Sequence, residues 1–241
     1  MEPRTLLLSD LHLPNTPSPL REGFLRFLGG PAQGAQAVYI LGDLFEYWIG
    51  DDVGLHEYAA EAAAMRALAN AGTRVLLMHG NRDFLVRRRF AAAAGLELLP
   101  DPLRLELCGG PALLSHGDLW CTEDLDYQRW RRFARNPLRQ AVFLRLPVSM
   151  RRRVAEKARA SSQDKPMNIT DVSEAAVRAA FSQYGVDRII HGHTHRPAEH
   201  AYTIDGQACE RIVLADWRPQ RLEYVICDAN SWRRQLFDPT A

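Results

Sequence analysis

Cysteine is sparse in this 241-residue chain: Cys108, Cys121, Cys209 and Cys227 are scattered, with no Cys-x-x-Cys spacing. That excludes a zinc knuckle and a disulfide framework, and the four are expected to be plain core or surface thiols. No apolar run is long enough to span a bilayer. The start, Met1-Glu2-Pro3-Arg4, runs into a strand-like segment without an apolar leader, so the expected location is the cytoplasm. A Gly-x-Ser-x-Gly elbow is missing, which removes the usual signal of a serine nucleophile. There is no internal repeat, low-complexity linker or heptad pattern; one domain over residues 1–241 is expected, and no oligomer is predicted.

What is present is an ordinary globular composition, 46% hydrophobic and 24% charged with a mean hydropathy of −0.27, sufficient for a sizeable core. The net charge of +1 conceals an asymmetry. Between residues 127 and 165, ten Arg and two Lys meet only Glu156 and Asp164, a local +10 that leaves −9 for the rest of the chain. A split of this kind points to an anion-facing or membrane-facing segment.

The first 120 residues alternate apolar strand-like runs with helical candidates at residues 20–28, 55–71 and 84–94, a pattern that favours an α/β fold with a sheet packed between helices. Helical segments interrupted by Pro137 and Pro147 follow, and are read as an insertion over residues 122–166 of the same domain. Asp171 with Glu174 forms a capping-box signal for a helix to about Tyr184. Beyond His195 the chain looks β-rich, at residues 211–214, 221–226 and 235–237.

Five clusters of hard metal-ligand residues stand where predicted strands end: Asp10-Leu11-His12, Gly42-Asp43, Gly80-Asn81-Arg82-Asp83, Ser115-His116-Gly117-Asp118 and His191-Gly192-His193-Thr194-His195. The apolar runs before them are residues 5–8, 37–41, 75–78, 112–114 and 189–190. In open α/β sheets functional groups collect at the carboxyl ends of strands. Any one cluster alone reads as a turn; five in order read as carboxylates, an amide and imidazoles converging on one point, enough for two divalent ions. Such ligands suit Mn²⁺, Fe²⁺ or Zn²⁺, and the lack of thiolate argues against a structural zinc.

In this order the clusters resemble those of the calcineurin-like metallophosphoesterases. The resemblance implies two β-sheets sandwiched by helices, with two metals at the strand ends. It assigns Asp10, His12, Asp43 and His195 to one ion, and Asp43 (bridging), Asn81, His116 and His193 to the other. Where the family at large carries His after the Asn, this chain has Arg82. An arginine is a poor proton donor but a good partner for phosphate oxygens. A phosphate leaving group, with a second pKa of ~6, needs little protonation, so Arg82 points to a pyrophosphate bond.

Longer stretches are similar to one subgroup: Gly23-Phe24-Leu25-Arg26-Phe27-Leu28, the run YILGDLFEYWIGDD at residues 39–52, Cys121-Thr122-Glu123-Asp124 with Tyr127-Gln128, and HGHTHRP at residues 191–197. These resemble the UDP-2,3-diacylglucosamine diphosphatases of lipid A biosynthesis in Gram-negative bacteria. The resemblance implies two Mn²⁺ per chain and attack of water at the α-phosphorus, giving UMP and 2,3-diacylglucosamine 1-phosphate. It also implies peripheral residence at the cytoplasmic face of the inner membrane, and a helical lid over the UDP-linked diacylated sugar. Catalytic roles fall on Asn81, Arg82 and His193; substrate contacts fall on these and on Asp124, Ser162, Asp164 and Lys165. The stretch Ser161-Ser162-Gln163-Asp164-Lys165 is shorter than in the subgroup and lacks an Asn between Ser and Lys, leaving Asp164 in its place. Most of the insertion's individual arginines are expected to be solvated; the segment as a whole is expected to act as the lid.

Two other readings compete. A phosphodiesterase or nuclease of the same superfamily could use the +10 segment to track a phosphate backbone. Against this, Tyr127, Trp130, Phe133 and Phe143 at helical spacing suit a lipid slot better than a base-stacking platform, so no nucleic-acid partner is expected. A scaffold that has lost catalysis would lack ligand residues, and here all seven are in place.

Overall fold

The computed structural model describes residues 4–163, 171–229 and 231–239. In chain order the elements are Thr5–Leu8 (β1), Pro19–Gly29 (α1), Ala37–Leu41 (β2), Asp51–Glu57 (α2), Ala59–Asn70 (α3), Arg74–Met78 (β3), Arg88–Ala94 (α4), Leu96–Leu99 (β4), Leu103–Leu107 (β5) and Gly110–Ser115 (β6). Three helices without an intervening strand follow: Leu125–Ala134 (α5), Pro137–Phe143 (α6) and Val148–Gln163 (α7). The chain then forms Glu174–Tyr184 (α8), Arg188–His191 (β7), Ala198–Ile204 (β8), Gln207–Val213 (β9), Leu222–Cys227 (β10) and Trp232–Phe237 (β11).

One sheet has the order β11-β10-β1-β2-β3-β4 and the other β5-β6-β7-β9-β8. Alternation along the strands explains the layering, because successive side chains point to opposite faces. Leu6, Leu8, Val38, Ile40, Val75 and Leu77 face a helical layer containing Phe24, Phe27, Met65 and Phe90. Their neighbours Leu7, Tyr39, Leu41, Leu76 and Met78 pack against Leu114, Ile190 and Ile212 of the second sheet. On that sheet's far side Leu113 and Ile189 meet Val177 and Phe181 of α8. The result is the expected pair of sheets between helices. Each fully buried large side chain contributes about 1.5–3 kcal/mol. Strands covered on both faces read as continuous apolar runs, as β1 and β2 do. Because β1, β2 and β3 are mutually parallel, and β6 and β7 likewise, each group delivers its carboxyl ends to one edge.

Local expectations need correction. The helix expected over residues 55–71 is two, α2 and α3, broken at the fully buried Tyr58, whose hydroxyl donates to the Leu13 carbonyl at 3.0 Å. The helix expected from Phe84 begins at Arg88, because Asp83 and Asp51 hold the preceding turn: the Asp83 carbonyl accepts from Val86 N–H and the Asp51 carboxylate from Arg87 N–H. Asp171 does not cap α8. Ser173 occupies that position, while Asp171 accepts from Val172 N–H and pairs with Arg196 at 2.6 Å. Cys108 and Cys227, expected as thiols, are joined as a disulfide with Cα atoms 5.1 Å apart; 119 positions of separation gave no spacing cue. Cys121 and Cys209 are buried and outside any disulfide.

Candidate metal centre

The loops leaving β1, β2, β3, β6 and β7 bring all seven expected ligands together, with their backbones held in an uncommon conformation. Asp10, His12, Asp43, His193 and His195 have φ between 48° and 68°, and they are five of the seven non-glycine residues with positive φ among the described residues. Bulky residues adopt that region at a cost of order 1–3 kcal/mol, and such strain collects at functional sites. Two glycines permit the close approach. A Cβ on Gly80 would fall on the carboxylate and backbone nitrogen of Asp43, and one on Gly192 would fall on Ser9 and Asp10.

Two donor sets emerge. In the first, Nε2 of His12 faces Nε2 of His195 at 3.0 Å, with Asp10 Oδ1 3.9 Å and 3.4 Å away from them respectively. In the second, Asp10, Asp43 and His116 lie within 4.8 Å of one another. Asn81 Oδ1 adjoins it, 2.9 Å from both His116 Nε2 and His193 Nδ1. Nδ1–H of His116 donates to the Leu41 carbonyl at 2.9 Å, which leaves Nε2, beside the Asn81 oxygen, as the ring atom able to ligate a cation. Asp10 Oδ1 and His12 Nδ1 are buried with no hydrogen-bond partner. An orphaned buried carboxylate oxygen ringed by imidazole nitrogens, a second carboxylate and an amide oxygen is what a pair of divalent cations would satisfy, so the donor chemistry fits a di-metal centre.

The electrostatics point the same way. Burial pushes Asp43 up to about 7, with Asp83 and Asp10 adding to it against the opposing pull of His116 and Arg82. Burial alone would lower His116, yet Asp43, Asp10 and Asp118 raise it to about 9. His193 is pushed down to about 4 by burial and then by His116. Acidic groups crowd together in a buried position, and positive charge is what relieves them.

Arg82 borders this centre. Its backbone N–H donates to Asp43 Oδ1 at 2.8 Å, its Nε lies 3.6 Å from Asp43 Oδ2, and its Nη1 pairs with Glu46 at 2.6 Å. Asn81 and Arg82 also line a cavity of about 450 Å³ whose walls include Trp48, Phe84, Trp130, Phe133, Phe143 and Val154. Its far wall is built by α5, α6 and α7.

Those helices are pinned to the body by their own arginines. On α5, Arg131 pairs with Asp118 at 2.7 Å, and Arg135, just past its end, donates to the Gly80 carbonyl at 3.0 Å. On α7, Arg151 holds Asp52 and the Ile49 carbonyl, while Arg152 holds Glu57. Arg129, Arg132, Arg139, Arg145 and Arg153 are exposed, so solvation describes this second group and not the first. Asp124 caps α5 by accepting from Tyr127 N–H at 2.9 Å and is absent from the cavity lining. The Ser162 side chain, Asp164 and Lys165 lie outside the described residues.

Sequence reasoning gave no role to Asp83, Asp118 or Glu46, and read Tyr127 only as an aromatic suited to a lipid slot. Buried Asp83 accepts from Leu44 and Gly80 N–H, each at 2.8 Å, and so ties two ligand loops together. Tyr127 donates to Asp118 at 2.5 Å and stacks on His193 with ring centres 6.0 Å apart. Asp83 and Asp118 closed the third and fourth ligand clusters. That adjacency was the available signal.

The calcineurin-like phosphoesterase family profile matches residues 3–197. The chain is 47% identical over 239 residues to a UDP-2,3-diacylglucosamine hydrolase of Stenotrophomonas maltophilia (strain R551-3), covering 95% of this chain and 96% of the relative. It is 48% identical over 237 residues to a protein of that name from Pseudomonas paraeruginosa (strain DSM 24068 / PA7), covering 96% and 98%. A third, from Xanthomonas oryzae pv. oryzae (strain PXO99A), is 48% identical over 227 residues, covering 90% and 92%.

Proposed function

Since the chain belongs to the calcineurin-like phosphoesterases and, within them, to the UDP-2,3-diacylglucosamine hydrolase family, we propose that it hydrolyses the pyrophosphate bond of UDP-2,3-diacylglucosamine. Water attacks the α-phosphorus and the products are UMP and 2,3-diacylglucosamine 1-phosphate, a step of lipid A biosynthesis. The observation that carries this reading is the junction of two unlike surfaces. A cluster of carboxylates and imidazoles and an aromatic-walled cavity meet at Asn81 and Arg82. Phosphate chemistry and an apolar chain are accommodated side by side. A nuclease has no use for such a cavity.

Asp10, His12, Asp43 and His195 would hold one Mn²⁺, and Asp43, Asn81, His116 and His193 the other. Bound there, the two ions supply a lowered pKa for water and positive charge opposite phosphate oxygens. Asn81, His193 and Arg82 orient the phosphate and stabilise the charge that builds on it. Arg82 contributes without donating a proton, because 2,3-diacylglucosamine 1-phosphate leaves as a phosphate with little need of one. Asp124, Ser162, Asp164 and Lys165 are assigned to the sugar, nucleotide and second phosphate.

Residues 122–166 serve as the lid of a single domain, with the cavity beneath for acyl chains. Their outer surface carries exposed Leu125, Leu138, Val142 and Met150 among Arg129, Arg132, Arg139 and Arg145. Apolar side chains set among cations suit a leaflet of anionic lipid, and the protein works there peripherally, at the cytoplasmic face of the inner membrane. No helix among the described residues is long and apolar enough to cross a membrane.

The test is Mn²⁺-dependent release of UMP from UDP-2,3-diacylglucosamine in mixed micelles. Asn81→Ala and the unacylated UDP-N-acetylglucosamine serve as controls. Release from the diacylated substrate alone, lost in the variant, is expected. Equal turnover of both substrates would remove the acyl-binding role of the cavity, and no turnover would overturn the reading.

A further inference from the structure

We propose that Glu46 is a positioning residue that holds Arg82 in its working orientation. The idea rests on the functional reading above, in which Arg82 meets the substrate phosphate.

A carboxylate beside a site for an anionic substrate is a liability, so its placement there needs a reason. Glu46 lines the cavity next to Asn81 and Arg82, and its side chain is only 13% exposed. The backbone that carries it is rigid. Glu46 N–H donates to the Leu13 carbonyl at 3.0 Å, and the preceding Phe45 is fully buried against Trp48, Tyr58 and Phe90. The carboxylate is therefore aimed by the fold and does not wander on a loop.

Two carboxylates fork Arg82. Its Nε lies 3.6 Å from Asp43 Oδ2 and its Nη1 lies 2.6 Å from Glu46 Oε1. Nη2 has no protein partner among the described residues. Without Glu46 the guanidinium, the nearest free cation to Asp43, would be drawn fully onto that carboxylate. It would then compete with the cations for Asp43 and turn away from the cavity mouth. With Glu46 in place the planar fork is spread between the two acids at the cavity lining. The other Glu46 oxygen is 3.8 Å from His12 Nδ1, so a direct effect on that ligand is the rival explanation and must be separated.

A double-mutant cycle separates them. Glu46→Gln, Arg82→Ala and the double variant are assayed on UDP-2,3-diacylglucosamine with Mn²⁺, and Mn²⁺ binding is measured by titration calorimetry. Glu46→Gln is expected to lower kcat about tenfold with KM little changed, because the lost contact acts in the transition state. In the Arg82→Ala background the same change is expected to cost less than about twofold, since residues that act through one another are not additive. Mn²⁺ affinity is expected to stay within about twofold of wild type, a small fraction of the 10- to 100-fold typical when a metal ligand's supporting partner is lost. Equal losses in both backgrounds would overturn the proposal, as would a fall in Mn²⁺ affinity that explains the lost rate, or no loss at all. Wild-type protein that released no UMP would overturn the functional reading first, and the role of Glu46 with it.

Discussion

Replacing Asp118 with Asn tests whether helices α5 to α7 are held to the body by buried charge. Asp118 has no exposed surface, and its Oδ2 accepts from the Tyr127 hydroxyl at 2.5 Å, Arg131 Nε at 2.7 Å and Arg135 Nη2 at 3.4 Å. Asn keeps the shape and removes the charge, so each arginine loses a charge-assisted partner worth about 1.5–3 kcal/mol. Breaking a fully buried pair costs about 3–5 kcal/mol. Arg131 and Arg135 remain 19% and 23% exposed and can recover some hydration, which brings the expectation to about 2–4 kcal/mol. For a chain of this size that is a fall in Tm of roughly 5–15 °C, read by calorimetry. Loosening α5 also loosens the cavity wall carrying Trp130 and Phe133, so KM for the diacylated substrate should rise. The pH dependence fixes the cause. Burial would raise the Asp118 carboxyl, but His116, Arg135 and Arg131 hold it below the usual carboxylate range. Its contribution is thus fully present above the ordinary carboxylate pKa of about 4 and is lost as pH falls further. The gap between wild type and variant must then narrow in acid. A Tm within about 2 °C of wild type, or a gap that widens in acid, would refute the reasoning.

Two further outcomes follow from the ligand loops. Gly80→Ala should lower Mn²⁺ affinity at least about tenfold and destabilise the fold by about 1–3 kcal/mol, because its Cβ would occupy the place of the Asp43 carboxylate; unchanged calorimetric titrations would contradict this. Asp43, raised to about 7 chiefly by burial, favours its neutral form in the metal-free protein. The stability this group lends that protein is present below the ordinary carboxylate pKa and lost as pH rises through about 7, where a cation takes the proton's place. The Mn²⁺-induced rise in Tm should therefore grow between about pH 6 and pH 8, and a shift that shrinks over that interval would contradict it.

The strands that carry the candidate ligands were legible because they are buried on both faces: an uninterrupted TLLL or AVYIL followed by Ser-Asp or Gly-Asp can hardly be anything else. The strands that escaped notice are half-exposed or peripheral. Exposure along β5 and β8 largely alternates residue by residue, and β4 follows directly on α4 and is buried only at its first residue. Their registers depend on partners distant in sequence. Helix boundaries failed where a side chain reached across the fold, as Tyr58 does to Leu13 and Asp51 to Arg87. The candidate ligands could be read from spacing, whereas Glu46 could not. Its role depends on where the Arg82 guanidinium lies, and that is a matter of three-dimensional packing.

The pairing of β1 with both β2 and β10 has a consequence for folding. β1 is central in its sheet, and one of its two edges waits for a partner far along the sequence. His12 and His195, 183 positions apart, must meet before the first metal set exists. Closing so long a loop is slow, so the meeting of these two histidines is expected to come late in folding.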